Sequence, residues 1–345
     1  MSGLTTPQIT YRPFRYPEAY EFWQRQQQTH WIQDEVPLAE DIKDWNTKLT
    51  PEELNLITHI FRFFTQSDVE VNDCYHRNYL MVFRPTEVAM MLTAFSNMET
   101  IHISAYAYLL DTIGMPETEY SAFLEYEEML AKHDFLQSFG VEDPYEVAKT
   151  LAVFGGFTEG LQLFASFAIL LNFPRFNKMK GMGQIVTWSV RDESLHCEGI
   201  TWLFKEWLKE HPNISREKLY AELAEICLEV IDHEDAFIDL AFEMGAVQGL
   251  TAEEVKAYIR YIARLRCAQL GIPESTLREL SVNNERFKDL IPNPVDKNPI
   301  PWLNEILNGV EHSNFFEARS TEYSKGATVG NFADVWREVD EKSAS

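Results

Sequence analysis

The sequence predicts an all-α chain, a bundle of helices around a shared core. Three observations predict it. Apolar residues recur at helical spacing along most of the chain, strand-type alternation is scarce, and capping signals punctuate the periodic stretches. Hydrophobic residues make up 45% of the 345 residues, enough for a sizeable core.

Residues 1–30 are rich in Pro, Tyr, Arg and Gln and read as an arm that wraps a surface, with Trp31 following in WIQDEVPL. Thr50-Pro51-Glu52-Glu53 starts a helix. Thr50 is its N-cap, Pro51 fits the first helical position and Glu53 completes a capping box. This helix runs to about residue 76. Its apolar stripe of Ile57, Phe61, Phe64, Val71 and Tyr75 is interrupted by Asp68. Pro85 opens the next helix and Gly114 stops it. On one face of it, continuous with Val88, Leu92, Phe95 and Leu109, stand Glu99, His102 and Tyr106 at i, i+3 and i+7.

A shorter helix is expected over 117–133. Asp143-Pro144 opens another, which ends before Pro174 because a residue preceding proline disfavours the helical region. It is almost wholly apolar, so it is buried, and Glu159 is its interior carboxylate. The helix expected over 183–209 carries Ile185, Val186, Ser189, Glu193, His196, Ile200 and Leu203 on one side. Further helices follow at 215–247 and 251–270, the latter with the capping box Thr251-x-x-Glu254. After Pro292 the periodicity fades, and from Ser313 the chain is polar with scattered aromatics. The expected organisation is an N-terminal arm (1–30), a helical domain (31–312) and a flexible tail (313–345).

The formal net charge of −24 argues against nucleic acid and anionic membranes as partners. The four cysteines lack CxxC spacing, which argues against a zinc site or a disulfide framework. The N-terminal residues hold no apolar signal-peptide core, and no stretch is read as a membrane span, so the expected location is cytoplasmic.

The chemistry lies in the polar interruptions. Asp68, Glu99, His102, Glu159, Glu193 and His196 stand on apolar faces of four helices, where a charge is costly unless it is paired or binds a metal. Two helices supply Glu-x-x-His and two supply a lone carboxylate. This is the ferritin-like dinuclear carboxylate pattern, with Asp at one of the lone positions instead of Glu. Two hard divalent ions need oxygen donors, carboxylates able to bridge and offset their charge, and one imidazole each. A single Glu-x-x-His would arise about once by chance in such a composition. Two of them, with two further carboxylates on separate apolar helices, form a set for which the nearby sequence offers few cations.

These motifs resemble the small (beta) subunit of class I ribonucleotide reductase. SDVEVN around Asp68, METIHISAY from Met98 to Tyr106, GFTEG around Glu159 and VRDESLH from Val190 to His196 are similar to that family's signatures, in its order, and the resemblance runs from about Trp31 to Tyr323. It implies a ferritin-like bundle, usually a homodimer. The implied activity is to generate a protein radical and pass it to a large (alpha) subunit that reduces ribonucleotides.

Residue by residue, the resemblance makes Asp68, Glu99, His102, Glu159, Glu193 and His196 the metal ligands and Tyr106 the tyrosine oxidised to a radical. Trp31 and Asp192 match a Trp–Asp–His chain ending at His102. Tyr323 matches a tail tyrosine that relays the radical between subunits. The implied centre is dinuclear, iron–iron first, with manganese–manganese or manganese–iron able to use the same ligands. Its oxidant is either oxygen or a species delivered by an activating flavoprotein. The substrates, diphosphates or triphosphates, would bind the other subunit.

There are departures from the family pattern. Leu163 and Ser189 stand where many members place larger apolar groups, and Ser189 can bond or hydrate the Tyr106 pocket. The chain ends in EKSAS, so Phe332 and Trp336 are the better tail anchors for docking. Two other readings are weighed. A stand-alone dinuclear oxidase of the same fold would need a substrate cavity and no tail. A ferritin-type store would bind many metals per chain.

Overall fold

Four helical segments carry the expected ligands, and their boundaries follow from local chemistry. The computed structural model describes residues 3–293, 295 and 297–306. The helix Pro51–Cys74 begins at Thr50, whose hydroxyl accepts from the Glu53 amide at 3.3 Å. Glu53 in turn accepts from the Thr50 amide at 2.9 Å. A wide π turn, Tyr75–Tyr79, follows it. The helix Thr86–Ile113 starts after Pro85 and stops at Gly114, whose φ of 79° suits a residue without a Cβ. The helix Lys180–Glu210 is α-helical over 31 residues.

The remaining segment differs from expectation. It is helical from Pro144 to Phe176, but only Pro144–Leu151 and Leu163–Asn172 are α-helical. Between them Ala152–Gln162 is π-helical, a wider coil often found at functional sites. Close neighbours account for its glycines. A Cβ on Gly155 would lie 2.4 Å from Ile200, and one on Gly160 would lie 2.9 Å from the Cys197 sulfur. The Gly160 carbonyl accepts from Arg266 Nε at 2.7 Å. Backbone registers that lose an intrahelical bond are thus partly answered from the neighbouring helix. By length and apolarity Pro144–Phe176 could cross a membrane, contrary to the expectation that no stretch would. Its most apolar window is nevertheless wholly buried in protein, as a core helix.

The four segments close a ring. Thr86–Ile113 packs against Pro51–Cys74 and Lys180–Glu210, and the π segment packs against both of those. Arg216–Ala241 and Ala252–Leu270 pack on each other and on the outside of the π segment. Among the described residues there is no strand, only an isolated bridge between Val247 and Leu250. The all-α expectation holds.

Other differences are local. The N-terminal stretch carries a helix, Pro17–Gln28, laid across Thr86–Ile113 and Lys180–Glu210. The stretch expected as one helix from 117 is a 3₁₀ segment, Glu117–Glu125, and an α-helix, Glu127–Leu136. They break at extended Tyr126, whose hydroxyl accepts from Arg62 at 2.6 Å and whose ring stands edge-on to His59. Arg216–Ala241 ends short of Gly245, whose φ is 101°. Helices at Ala39–Thr47 and Glu274–Asn283 add to the expected set. The described residues up to Ile300 form one compact unit, and 301–306 begin a second, helical where described.

Candidate metal centre

The ring brings all six expected ligands inward. Asp68, Glu99, His102, Glu159, Glu193 and His196 are each at most 3% exposed. Glu99, Glu159, Glu193 and His196 each offer one donor atom, and these atoms lie within 4.8 Å of one another.

The imidazoles divide the cluster in two. His102 Nδ1 lies 3.2 Å from Glu193 Oε1 and 3.5 Å from Glu99 Oε2. His196 Nδ1 lies 2.9 Å from Glu99 Oε1 and 3.6 Å from Glu193 Oε2. Glu99 and Glu193 therefore each turn one oxygen to each imidazole and span both halves. Glu159 belongs to the His196 half, 3.7 Å from Nδ1. Asp68 belongs to the His102 half, since His102 is the charge that most favours its ionised form.

The donor atoms are short of partners inside the protein. Asp68 Oδ2, both Glu99 oxygens, Glu159 Oε2, Glu193 Oε2 and His196 Nδ1 are buried with no hydrogen bond. Buried polar atoms are normally satisfied, so a set of orphans converging on one place calls for a cation. Glu99 Oε1 and His196 Nδ1 approach without hydrogen-bond geometry, as two ligands of one ion do. Carboxylates and one imidazole per half are the donor set that suits two hard or borderline divalent ions.

The electrostatics agree. Burial pushes the Asp68 and Glu159 carboxyls well above the usual carboxylate range, and neighbouring carboxylates push further, against the pull of the imidazoles. Burial opposes charge on the imidazoles, yet the surrounding carboxylates outweigh it. His102 is raised well above its ordinary value and His196 to about 10. Without a metal, the cluster holds protons where cations would otherwise sit.

The outer nitrogen of each ring is fixed by the protein. His102 Nε2 lies 3.3 Å from Asp192 Oδ2, the oxygen that also accepts from Trp31 Nε1 at 2.8 Å. His196 Nε2 lies 3.2 Å from Gln26 Oε1, and Gln26 Nε2 donates to Asp192 Oδ1 at 3.2 Å. Each bond leaves Nδ1 turned to the cluster. Burial raises the Asp192 carboxyl, but its bonds from His102 and Trp31 and the Arg191 charge bring it below the usual carboxylate range. Trp31 also packs on half-buried Trp188, with ring centroids 5.1 Å apart.

Tyr106 lies beside the His102 half. It is 4% exposed, and its ring packs on Phe64 at 4.8 Å between centroids. Its hydroxyl donates to Ser189 Oγ at 3.3 Å, and Ser189 donates to the Ile185 carbonyl at 3.1 Å. Burial and the Asp68 charge raise the phenol's pKa. Tyr323, Phe332 and Trp336 lie outside the described residues.

Three residues of the site were not singled out in sequence. Gln26 hides in the polar run QRQQQ. Tyr75, which donates to Glu159 Oε1 at 2.8 Å, read as apolar filler although it shares the Asp68 face at i+7. Trp188 stands at i−4 from Asp192, a helical spacing that could have flagged it.

A bundle in which two Glu-x-x-His helices and two carboxylate helices converge on a divided, buried cluster is a ferritin-like dinuclear carboxylate protein. The sequence model of the ribonucleotide reductase small chain matches residues 8–275, and the chain belongs to that family as a class I small subunit. It is 40% identical to a probable ribonucleoside-diphosphate reductase small subunit of Invertebrate iridescent virus 6, over 94% of this chain and 96% of the relative. It is 26% identical to the reductase beta subunit of Chlamydia pneumoniae, over 93% and 90%. The R2 subunit of Clostridium botulinum has the same fold, with TM-score 0.76, 24% identity and coverage of 89% and 94%. So does the dimanganese(II) NrdF of Streptococcus sanguinis, with TM-score 0.70, 18% identity and coverage of 87% and 99%. The chain is thus an oxidoreductase subunit for ribonucleotide reduction, of a class that binds a dinuclear metal centre and works with a large subunit.

Proposed function

We propose that this subunit generates the radical that starts ribonucleotide reduction, at Tyr106. The observation that carries the reading is the buried six-residue cluster divided between two imidazoles, with a buried phenol beside it. Asp68 and His102 would hold one ion and Glu159 and His196 the other, with Glu99 and Glu193 shared. Iron is the expected metal, and manganese or a mixed pair suits the same donors. When bound, the centre supplies the oxidising power for one-electron chemistry. Tyr106 would give up an electron to the centre and its phenolic proton to the carboxylates of the cluster, Asp68 being the one whose charge acts most on the phenol; Ser189 Oγ accepts the phenol's hydrogen bond but is too weak a base to keep the proton. Burial keeps water from the resulting radical. Asp192 holds His102 in one tautomer and links it to Trp31, the route by which an electron enters or leaves.

The radical then passes to the large subunit by a route including Trp31 and Tyr323. The tail, residues 313–345, docks that subunit, and the chain works as a cytoplasmic homodimer. The oxidant is oxygen itself or a species delivered by an activating flavoprotein. The test is EPR with metal quantification on protein from its native metal supply. A tyrosyl signal that vanishes in Tyr106→Phe, with about two metals per chain retained, supports the reading. An identical signal in the variant refutes the Tyr106 assignment.

A further inference from the structure

The π turn after the Asp68 helix sets a second phenol against the cluster, on the side opposite Tyr106. Tyr75 is fully buried, and its hydroxyl donates to Glu159 Oε1 at 2.8 Å. Its ring stands edge-on to His196, 6.3 Å between centroids and 74° between planes. Tyr79 and Phe95 hold that ring edge-on in turn. One helix face therefore delivers Asp68 to the His102 half and, seven residues on, Tyr75 to the His196 half.

Glu159 is the carboxylate that most needs such support. Glu99 and Glu193 are each gripped between two imidazoles, whereas Glu159 meets His196 alone, at 3.7 Å. It also projects from the π segment, away from the regular α-helical register. A free glutamate loses rotamer entropy when a cation fixes it, and a buried donor already holding one oxygen reduces that loss.

We infer that Tyr75 is a positioning residue: its hydroxyl sets Glu159 to receive the metal ion of the His196 half. The inference rests on the metal-centre reading. Removing an outer hydrogen bond to a ligand costs about 10- to 100-fold in metal affinity. Here the loss would fall on one of the two sites.

The test is an anaerobic cobalt(II) titration of metal-free, full-length protein, read by the visible absorption of bound cobalt. Parent, Tyr75→Phe and Tyr79→Phe are compared. Tyr79 is a buried phenol of the same turn that donates to the Thr150 carbonyl at 3.3 Å and serves as the control. Parent protein should take about two cobalt ions per chain. Tyr75→Phe should weaken one site about tenfold or more and shift its absorption bands, leaving the other site as in the parent. Tyr79→Phe should match the parent.

The same pair of proteins in a Glu159→Gln background separates positioning from folding. There Tyr75→Phe should change nothing further at the surviving site. An equal loss in that background, an equal loss in Tyr79→Phe, or coincident titrations of parent and Tyr75→Phe would each overturn the role of Tyr75. A parent that fails to take two ions would instead overturn the metal-centre reading, and the inference with it.

Discussion

Asp41 and Asp68 are both buried carboxylates, and the chain treats them in opposite ways. Asp41 accepts from the Gly181 and Met182 amides at 2.9 and 2.8 Å. Its neighbour Asp44 accepts from the Met179 amide at 3.0 Å and pairs with Lys48 at 2.6 Å. Together they cap the start of Lys180–Glu210, where Met179 has a left-handed backbone with φ of 49°. Asp68 has a 3.4 Å contact from the Ser67 hydroxyl on Oδ1 and nothing on Oδ2. The first pair is answered by backbone amides and a lysine and is architecture. The second belongs to a cluster that only cations from outside the chain can answer. Burial alone does not mark a functional carboxylate; several buried carboxylates whose unanswered oxygens converge on one place do.

The largest expected effect tests this contrast directly. Glu99 faces both imidazoles, so Glu99→Gln should lower metal content from about two ions per chain to fewer than one. The metal-free protein should also unfold at lower denaturant concentration, because the charge paired with both imidazoles has gone. Asp41→Ala should instead keep both metals while losing about 2–4 kcal/mol of stability as two amides lose their partner. Metal analysis and denaturant unfolding on both variants decide it. If Asp41→Ala loses metal as fully as Glu99→Gln, the contrast fails.

What was legible in the sequence follows from the same contrast. A polar residue on an apolar helical face stands out against its neighbours, so the six residues that converge in the buried cluster could be read, as could the placing of Tyr106 beside them and the Trp31–Asp192 link through the resemblance. Gln26 could not, because a neutral amide among glutamines and arginines signals nothing until folding places it between His196 and Asp192. The π segment was invisible because periodicity arguments assume 3.6 residues per turn, and a wholly apolar stretch matches any period. The helix Pro17–Gln28 was hidden because Ala19 and Gln26 are its buried residues, too few to print a stripe.

Gln26 gives the next largest effect and sharpens the comparison, since it is an answer supplied to an imidazole of the cluster and not to a helix end. Gln26→Leu keeps volume but removes the partner of His196 Nε2 and one donor to Asp192. Metal affinity should fall about tenfold or more, with stability little changed, in a competition titration against a chelator. A fall in stability with unchanged affinity would move Gln26 to the architectural side.

The two kinds of group also differ in how metal binding responds to pH. Asp68, Glu159 and both cluster imidazoles have raised pKa values in the metal-free fold, His196 at about 10, so they hold their protons to higher pH than the unfolded chain does. Such groups stabilise the metal-free protein below their unfolded pKa values, and that contribution is lost as pH rises through the folded ones. Metal must displace the same protons. Apparent manganese(II) affinity should therefore rise with pH through neutrality and on toward the His196 value of about 10, with proton release measurable by calorimetry in buffers of different ionisation enthalpy. Glu159→Gln should reduce that release, whereas Asp41→Asn should leave it unchanged. Affinity independent of pH would mean that the cluster is already deprotonated.

The smallest expected effect concerns Ser189, where the chain does answer a buried polar group, though weakly. Tyr106 donates to Ser189 over 3.3 Å, and Ser189 has committed its own proton to the Ile185 carbonyl. A bond this long contributes about 1 kcal/mol or less, so Ser189→Ala should barely move the unfolding midpoint. The radical should report the change more clearly. A Tyr106 oxygen that has lost its proton can only accept, and Ser189 can donate to it by rotating away from Ile185, a bond back to position i−4 that a helix gives up at little cost. A hydrogen bond to a phenoxyl oxygen lowers its largest g value. High-field EPR should therefore show that value higher in Ser189→Ala than in the parent. Identical spectra would mean that Ser189 stays turned to its own helix, and that Tyr106, once oxidised, stands without a donor in an apolar pocket.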